Sequence, residues 1–175
     1  MKRTSTGVLL FVLAFALVLC LTLGVVVLQL FWGGNEKSSP LPQVLGVTLT
    51  DSTLSEHWDE HGWMGDGTEY WKVELSPTDA AVLEQTAQTG KGWNALPVNG
   101  DGEILLYGRE SVGFYLTGKD GEPLLPPVEE GYWFFWDDQT HSPETAGVLG
   151  RGSYNYTAAV YDAKTCTLYC GELDT

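Results

Sequence analysis

"TEYWKVELSPTDAAVLEQTAQTG", residues 68–90, sets the fold class. Tyr70, Lys72 and Glu74 alternate with Trp71, Val73 and Leu75, the two-residue period of a half-buried strand. Ser76 can then cap a helix, Pro77 suits its first position, and Asp79 completes an S-x-x-D capping arrangement. Ala80, Leu83 and Ala87 fall on one apolar stripe, and Gly90 supplies a stop. A helix of about 12 residues, packed on a sheet, is expected here.

Downstream, "EILLYG", "SVGFYLTG" and "EPLL" read as strands, the last two joined by "KDG", a hairpin turn signal. "GYWFFWDD" (131–138) sets five aromatic residues in a row. In a strand, Tyr132, Phe134 and Trp136 face one way while Trp133 and Phe135 face the other. Both faces then need cover, so a central strand is expected. "NYTAAVYDAKTCTLYCGELDT" (155–175) reads as a closing hairpin turning at "DAKT". Upstream, "QVLGVTLT" (43–50) is expected to be the first strand, and the aperiodic 51–68 stretch a loop. The total is one packed α-helix with six or seven short strands, an α+β domain with a mainly antiparallel β-sheet.

The apolar residues are unevenly spread. Gly7 to Leu28 is 22 residues without a charge. As a helix it would be roughly 33 Å long, enough to cross the hydrocarbon core. No polar face interrupts it, and no small-x-small site follows it, so it reads as an uncleaved transmembrane helix rather than a signal peptide. Lys2 and Arg3 flank its short end, which places the N-terminus in the cytoplasm and the rest of the chain outside. Phe31 and Trp32 would sit at the outer interface. The expected organisation is a cytoplasmic tail (1–6), an anchor in the lipid bilayer (7–32), a Gly/Ser/Pro linker (33–42) and an extracytoplasmic domain (43–175). The localisation is thus the cell membrane, single-pass.

All 23 acidic residues lie beyond the anchor with only 7 of the 9 basic ones, which leaves 16 net negative charges there. Such a domain repels phosphate backbones, so nucleic acid is excluded as a natural partner. The chain has three cysteines. Cys20 falls in the anchor. Cys166 and Cys170, four apart on an expected strand, are about 13 Å apart, beyond disulfide reach, and read as buried thiols on one face with Leu168.

His57, Glu60 and His61 match H-x-x-E-H, a zinc-peptidase pattern that needs both histidines on one helical face. Gly62, Gly65 and Gly67 follow at once and oppose a helix. The match therefore reads as accidental, and neither a metal nor a cofactor is implied. Asp66-Gly67 ahead of a strand is a turn signal that His61 can hydrogen-bond. His61, Trp63 and Asp66 make the candidate binding loop. "NGDGE" and "DGE" lack the EF-hand spacing and read as turns. "YNYT" (154–157) contains N-x-T, which has meaning only in a glycosylating host.

"HGWMGDGTEYWKVELSPTDAAVLEQ", "GYWFFWDDQT" and "NYTAAVYDAKTCTLYCGELDT" together resemble a group of uncharacterised small envelope-associated proteins of Gram-positive, clostridia-like bacteria. That group shows an H-G-x-x-G-D-G loop, an aromatic strand ending in Asp, and a Y-D…T-L-Y…D-T end. The likeness spans roughly residues 48–175, and Trp63 departs from the Gly more typical of the loop. It implies a shared fold and an envelope setting, and assigns no catalytic residue. The leading expectation is a membrane-anchored extracytoplasmic domain, a non-enzymatic binding or interaction module for a protein or cell-wall ligand. The alternatives are a wall-acting or metal-dependent hydrolase using the 57–66 loop, and a carbohydrate-binding module.

Overall fold

The computed structural model describes residues 41–108, 116–118 and 121–175. The expected anchor and nearly all of the linker lie outside the described residues. Among those described, no helix is long and apolar enough to cross a membrane.

Six strands form one antiparallel sheet: β1 (Thr53–Asp59), β2 (Gly67–Glu74), β3 (Trp93–Ala95), β4 (Gly131–Asp137), β5 (Tyr156–Asp162) and β6 (Thr167–Asp174). Their spatial order is β1-β2-β6-β5-β4-β3, so β4 is flanked on both sides. The sheet carries a hydrophobic layer on each face. One face sets Trp71, Phe134, Tyr161 and Cys170 against helix α1 (Pro77–Thr89) through Ala80, Leu83 and Ala87. The other sets Trp133, Phe135, Ala158 and Val160 against α2 (Asp101–Tyr107), Leu116, Leu125 and Val148. The aromatic strand divides between the two faces as its alternation requires, and Phe134 and Phe135 are both fully buried.

α1 begins as the sequence predicts. Ser76 accepts a hydrogen bond from the Asp79 amide, and Pro77 opens the first turn. The carboxylate of Asp79 does not reach back to Ser76, however. It accepts from the Thr50 and Asp51 amides and from Ser52 Oγ instead. The upstream segment is held against α1 in this way, and also by Trp93 Nε1 donating to the Leu45 carbonyl.

That segment corrects one expectation. "QVLGVTLT" forms a 3-10 turn (Gln43–Leu45) followed by chain outside any helix or ladder, not a strand. Its alternation is real, since Leu45, Val47 and Leu49 are buried. They bury against α1 and make no ladder. "EILLYG" is likewise not a strand but most of α2. A short apolar run fits either element, and here Leu105 and Leu106 both enter the second layer. There are therefore two α-helices among the described residues rather than one. The expected "SVGFYLTG"–"EPLL" hairpin reduces there to one bridge, Thr117–Pro123, with a turn closed by Gly118 N–H donating to Glu122 O.

The 51–68 stretch is not a loop throughout, because it contains β1. The register of β1 on β2 shifts between Leu54 and Glu56, a β-bulge at Ser55 whose hydroxyl bonds the Lys72 carbonyl. The extra residue breaks the alternation, which is why no period is readable. The bulge also decides which side chains go where. Glu56 and Trp58 stand on the α2 face opposite Lys72 and Tyr70, while His57 and Asp59 stand on the α1 face opposite Trp71 and Glu69.

The closing hairpin forms as expected, with β5 and β6 paired from Tyr156–Leu173 to Asp162–Thr167. Cys170 is buried in the α1 layer, but Cys166 sits in the turn at a φ of 51° and is half-buried. Both thiols are free.

Candidate functional site

β1 and β2 are joined by residues 60–66, the tip on which the candidate binding loop lies. The Gly62 amide donates to the Asp66 carbonyl and the Gly65 amide to the Gly62 carbonyl. Gly65 takes a φ of 93°, and a Cβ on Gly67 would collide with the His61 backbone. The glycines are thus required by the turn, and the 57–67 stretch runs from strand to turn with no helical face.

The three candidate residues part company. Trp63 is 95% exposed beside Met64 at 71%, and Asp66 is also exposed. His61 turns inward instead. It does not bond the glycine turn. Its amide and Nδ1 both engage Asp59 Oδ1, at 2.8 and 2.7 Å. On the other side of the ring, Nε2 lies 3.3 Å from Asp174 Oδ2.

His61 therefore joins a row of carboxylates at the end of the α1 face. Asp59 on β1, Glu69 on β2 and Glu172 on β6 are register partners in succession, with Thr157 of β5 next. Directly opposed like charges on neighbouring strands repel. His57 offsets part of this by bonding Glu69 Oε1 at 2.8 Å while its ring stacks on Trp71, centroids 5.5 Å apart. Burial, with Asp174, Asp138 and Glu69 nearby, pushes the Glu172 carboxyl up to about 7. Burial would lower the His61 value, but Asp59, Asp174 and Glu172 together raise it. The hydrogen bonds from His61 hold Asp59 low.

The α2 face of the same hairpin holds a cleft of about 430 Å³ lined by Glu56, Trp58, Tyr70, Glu122, Pro123 and Leu124. Trp58 and Tyr70 are cross-strand partners with ring centroids 5.6 Å apart. Trp58 is half-buried and Tyr70 buried, so the indole forms the accessible wall. Burial and Glu56 raise the Tyr70 phenol well above its ordinary value and keep it neutral.

Sequence reading did not single out Asp59, Glu69, Glu172 and Asp174, nor the cleft. Each lies in a strand whose neighbours are set by register, and the bulge hides the faces of β1. No family model, curated protein or solved structure matches the chain.

Proposed function

We propose that the protein is a membrane-anchored, extracytoplasmic binding module that takes a saccharide of the cell wall in the cleft beside β1. The observation that carries this reading is the lining of that cleft, an indole wall with carboxylates and apolar residues around it. Its volume is within the range of small-molecule sites. An aromatic face packs on the C–H face of a sugar ring, and carboxylates accept from its hydroxyl groups. The anchor rests on the uncharged run from Gly7 to Leu28 and on Lys2 and Arg3 before it.

Two measurements test the reading. Protease treatment of intact cells should remove residues 43–175, and full protection would defeat the topology. Full-length protein in detergent should show a saturable change in tryptophan fluorescence with soluble wall saccharides. Trp58→Ala should abolish that binding while Trp63→Ala keeps it. Binding that survives Trp58→Ala would remove the cleft from consideration.

A further inference from the structure

The cleft beside β1 contains a carboxylate without a counter-ion. Glu56 lines it from the exposed edge strand, on the same face as Trp58. Its carboxylate makes no hydrogen bond or ion pair among the described residues. The cross-strand partner of Glu56 on β2 is a lysine, Lys72. Its ammonium group lies instead 5.9 Å from the centroid of the Tyr169 ring on β6. β6 flanks β2 on the side away from β1, so Lys72 leans off Glu56 rather than onto it.

Tyr70 leaves a second opening. It lines the same cleft at 6% exposure, yet its hydroxyl makes no hydrogen bond among the described residues. A phenol set this deep ordinarily finds a partner, and here the cleft is the space from which one can come. Burial, and then the charge of Glu56, keep its proton in place. The two groups therefore sit close enough to feel one another, with no direct bond between them.

A free carboxylate and a phenol oxygen beside an indole are the complement of an ammonium group. Each oxygen accepts one of its N–H donors, and the aromatic face attracts its charge. A neutral hydroxyl would bond the same oxygens but leave the carboxylate without an opposite charge. The excess of acidic residues beyond Arg3 raises the local concentration of cations in the same direction.

We propose that the cleft selects a saccharide with a free, charged amino group, such as a wall hexosamine lacking its N-acetyl substituent. Glu56 and Tyr70 bind the ammonium group, and Trp58 packs on the C–H face of the ring that carries it. The inference rests on the saccharide reading of the cleft and adds the charge of the ligand.

The test is calorimetric titration of full-length protein in detergent at pH 6 with two probes, a glucosamine trisaccharide and its fully N-acetylated counterpart. They share rings and linkages and differ in the charge at each amine. The free-amine form should bind about tenfold tighter, the difference between charge-assisted and neutral hydrogen bonds. Glu56→Gln should bring the two probes level, and Tyr70→Phe should weaken the free-amine form more than the acetylated one. Glu144→Gln makes the same charge change at an exposed residue outside the lining and should leave the preference intact. Glu56 is exposed and Tyr70→Phe keeps the ring, so both variants should fold, which thermal unfolding checks. Equal affinity for the probes, or tighter binding of the acetylated one, would overturn the proposal and leave the saccharide reading standing. Binding of neither probe would overturn both. A preference that survives Glu56→Gln, or that falls as far in Glu144→Gln, would also overturn it, because the attraction would then come from net charge rather than from the cleft.

Discussion

The carboxylate of Asp79 accepts a hydrogen bond of 2.6 Å from Ser52 Oγ, which ties the first turn of α1 to a segment 27 residues earlier. The Asp51 amide adds a second at 2.9 Å, and Asp79 is 1% exposed. Residues 50–52, just ahead of β1, are fastened to the helix through this side chain.

Asp79→Asn should therefore destabilise the domain by about 2 kcal/mol at pH 6, the scale of hydrogen bonds to a buried charge. Burial raises the Asp79 carboxyl, but the bonds from Ser52, Asp51 and Thr50 outweigh it and hold the group below 3.8. A depressed acid gives stability that is present above its unfolded pKa and lost as pH falls through its folded one. The difference between wild type and variant should be full at pH 6 and shrink below about pH 4. A difference that stays constant between pH 6 and pH 3 in denaturant unfolding would refute the linkage.

Gly131 opens β4 at a φ of 140°, and a Cβ there would run into the Tyr161 carbonyl. That carbonyl belongs to β5 and cannot swing aside. Gly131→Ala should cost at least about 2 kcal/mol, with Gly152→Ala, which faces open space, as the neutral comparison. Similar unfolding midpoints for the two would mean the β4–β5 approach is looser than described.

Trp63 touches little, so Trp63→Ala should leave stability within about 0.5 kcal/mol of wild type. Gly67→Ala, four residues on, should lower it clearly because its Cβ meets the His61 backbone. Calorimetry of both variants checks the pair, and a large loss from Trp63→Ala alone would show that the tip is packed.

Cys166 and Cys170 should label at different times. Burial pushes the Cys170 thiol well above its ordinary value and shields it, whereas Cys166 is half-buried in a turn. Mass spectrometry after brief alkylation of the native protein should find Cys166 modified and Cys170 untouched, with both labelled after unfolding. Equal native labelling would place Cys170 outside the core.

Much of the fold was legible because local chemistry and tertiary packing agree in it. Ser76 and Pro77 open α1 as their backbone preferences require, and the 131–137 aromatics need two covered faces and have them. Gly90 ends the helix as expected but in an extended conformation, where a Cβ would crowd the Thr86 carbonyl. Legibility failed where one pattern admits two structures. Leu45, Val47 and Leu49 alternate as a strand would, yet their partner is a helix surface rather than a ladder. Leu105 and Leu106 are buried together, which a short helix permits as well as a strand. The candidate site was legible only at His61. Asp59, Glu69 and Glu172 are far apart in the chain and become neighbours through register, which no single segment encodes.

Ser55 gives β1 an unusual mutational profile. The strand is mostly exposed, so many side-chain exchanges along it cost little in packing. Its length tolerates a loss at this one place as well. Removing the bulged residue would leave Leu54 opposite Val73 and set Glu56 directly after it opposite Lys72, so each later residue keeps its partner and its side of the sheet. The indole would stay in the cleft and the acid of Asp59 in the row. A single codon lost at this position would straighten the edge and spare both surfaces.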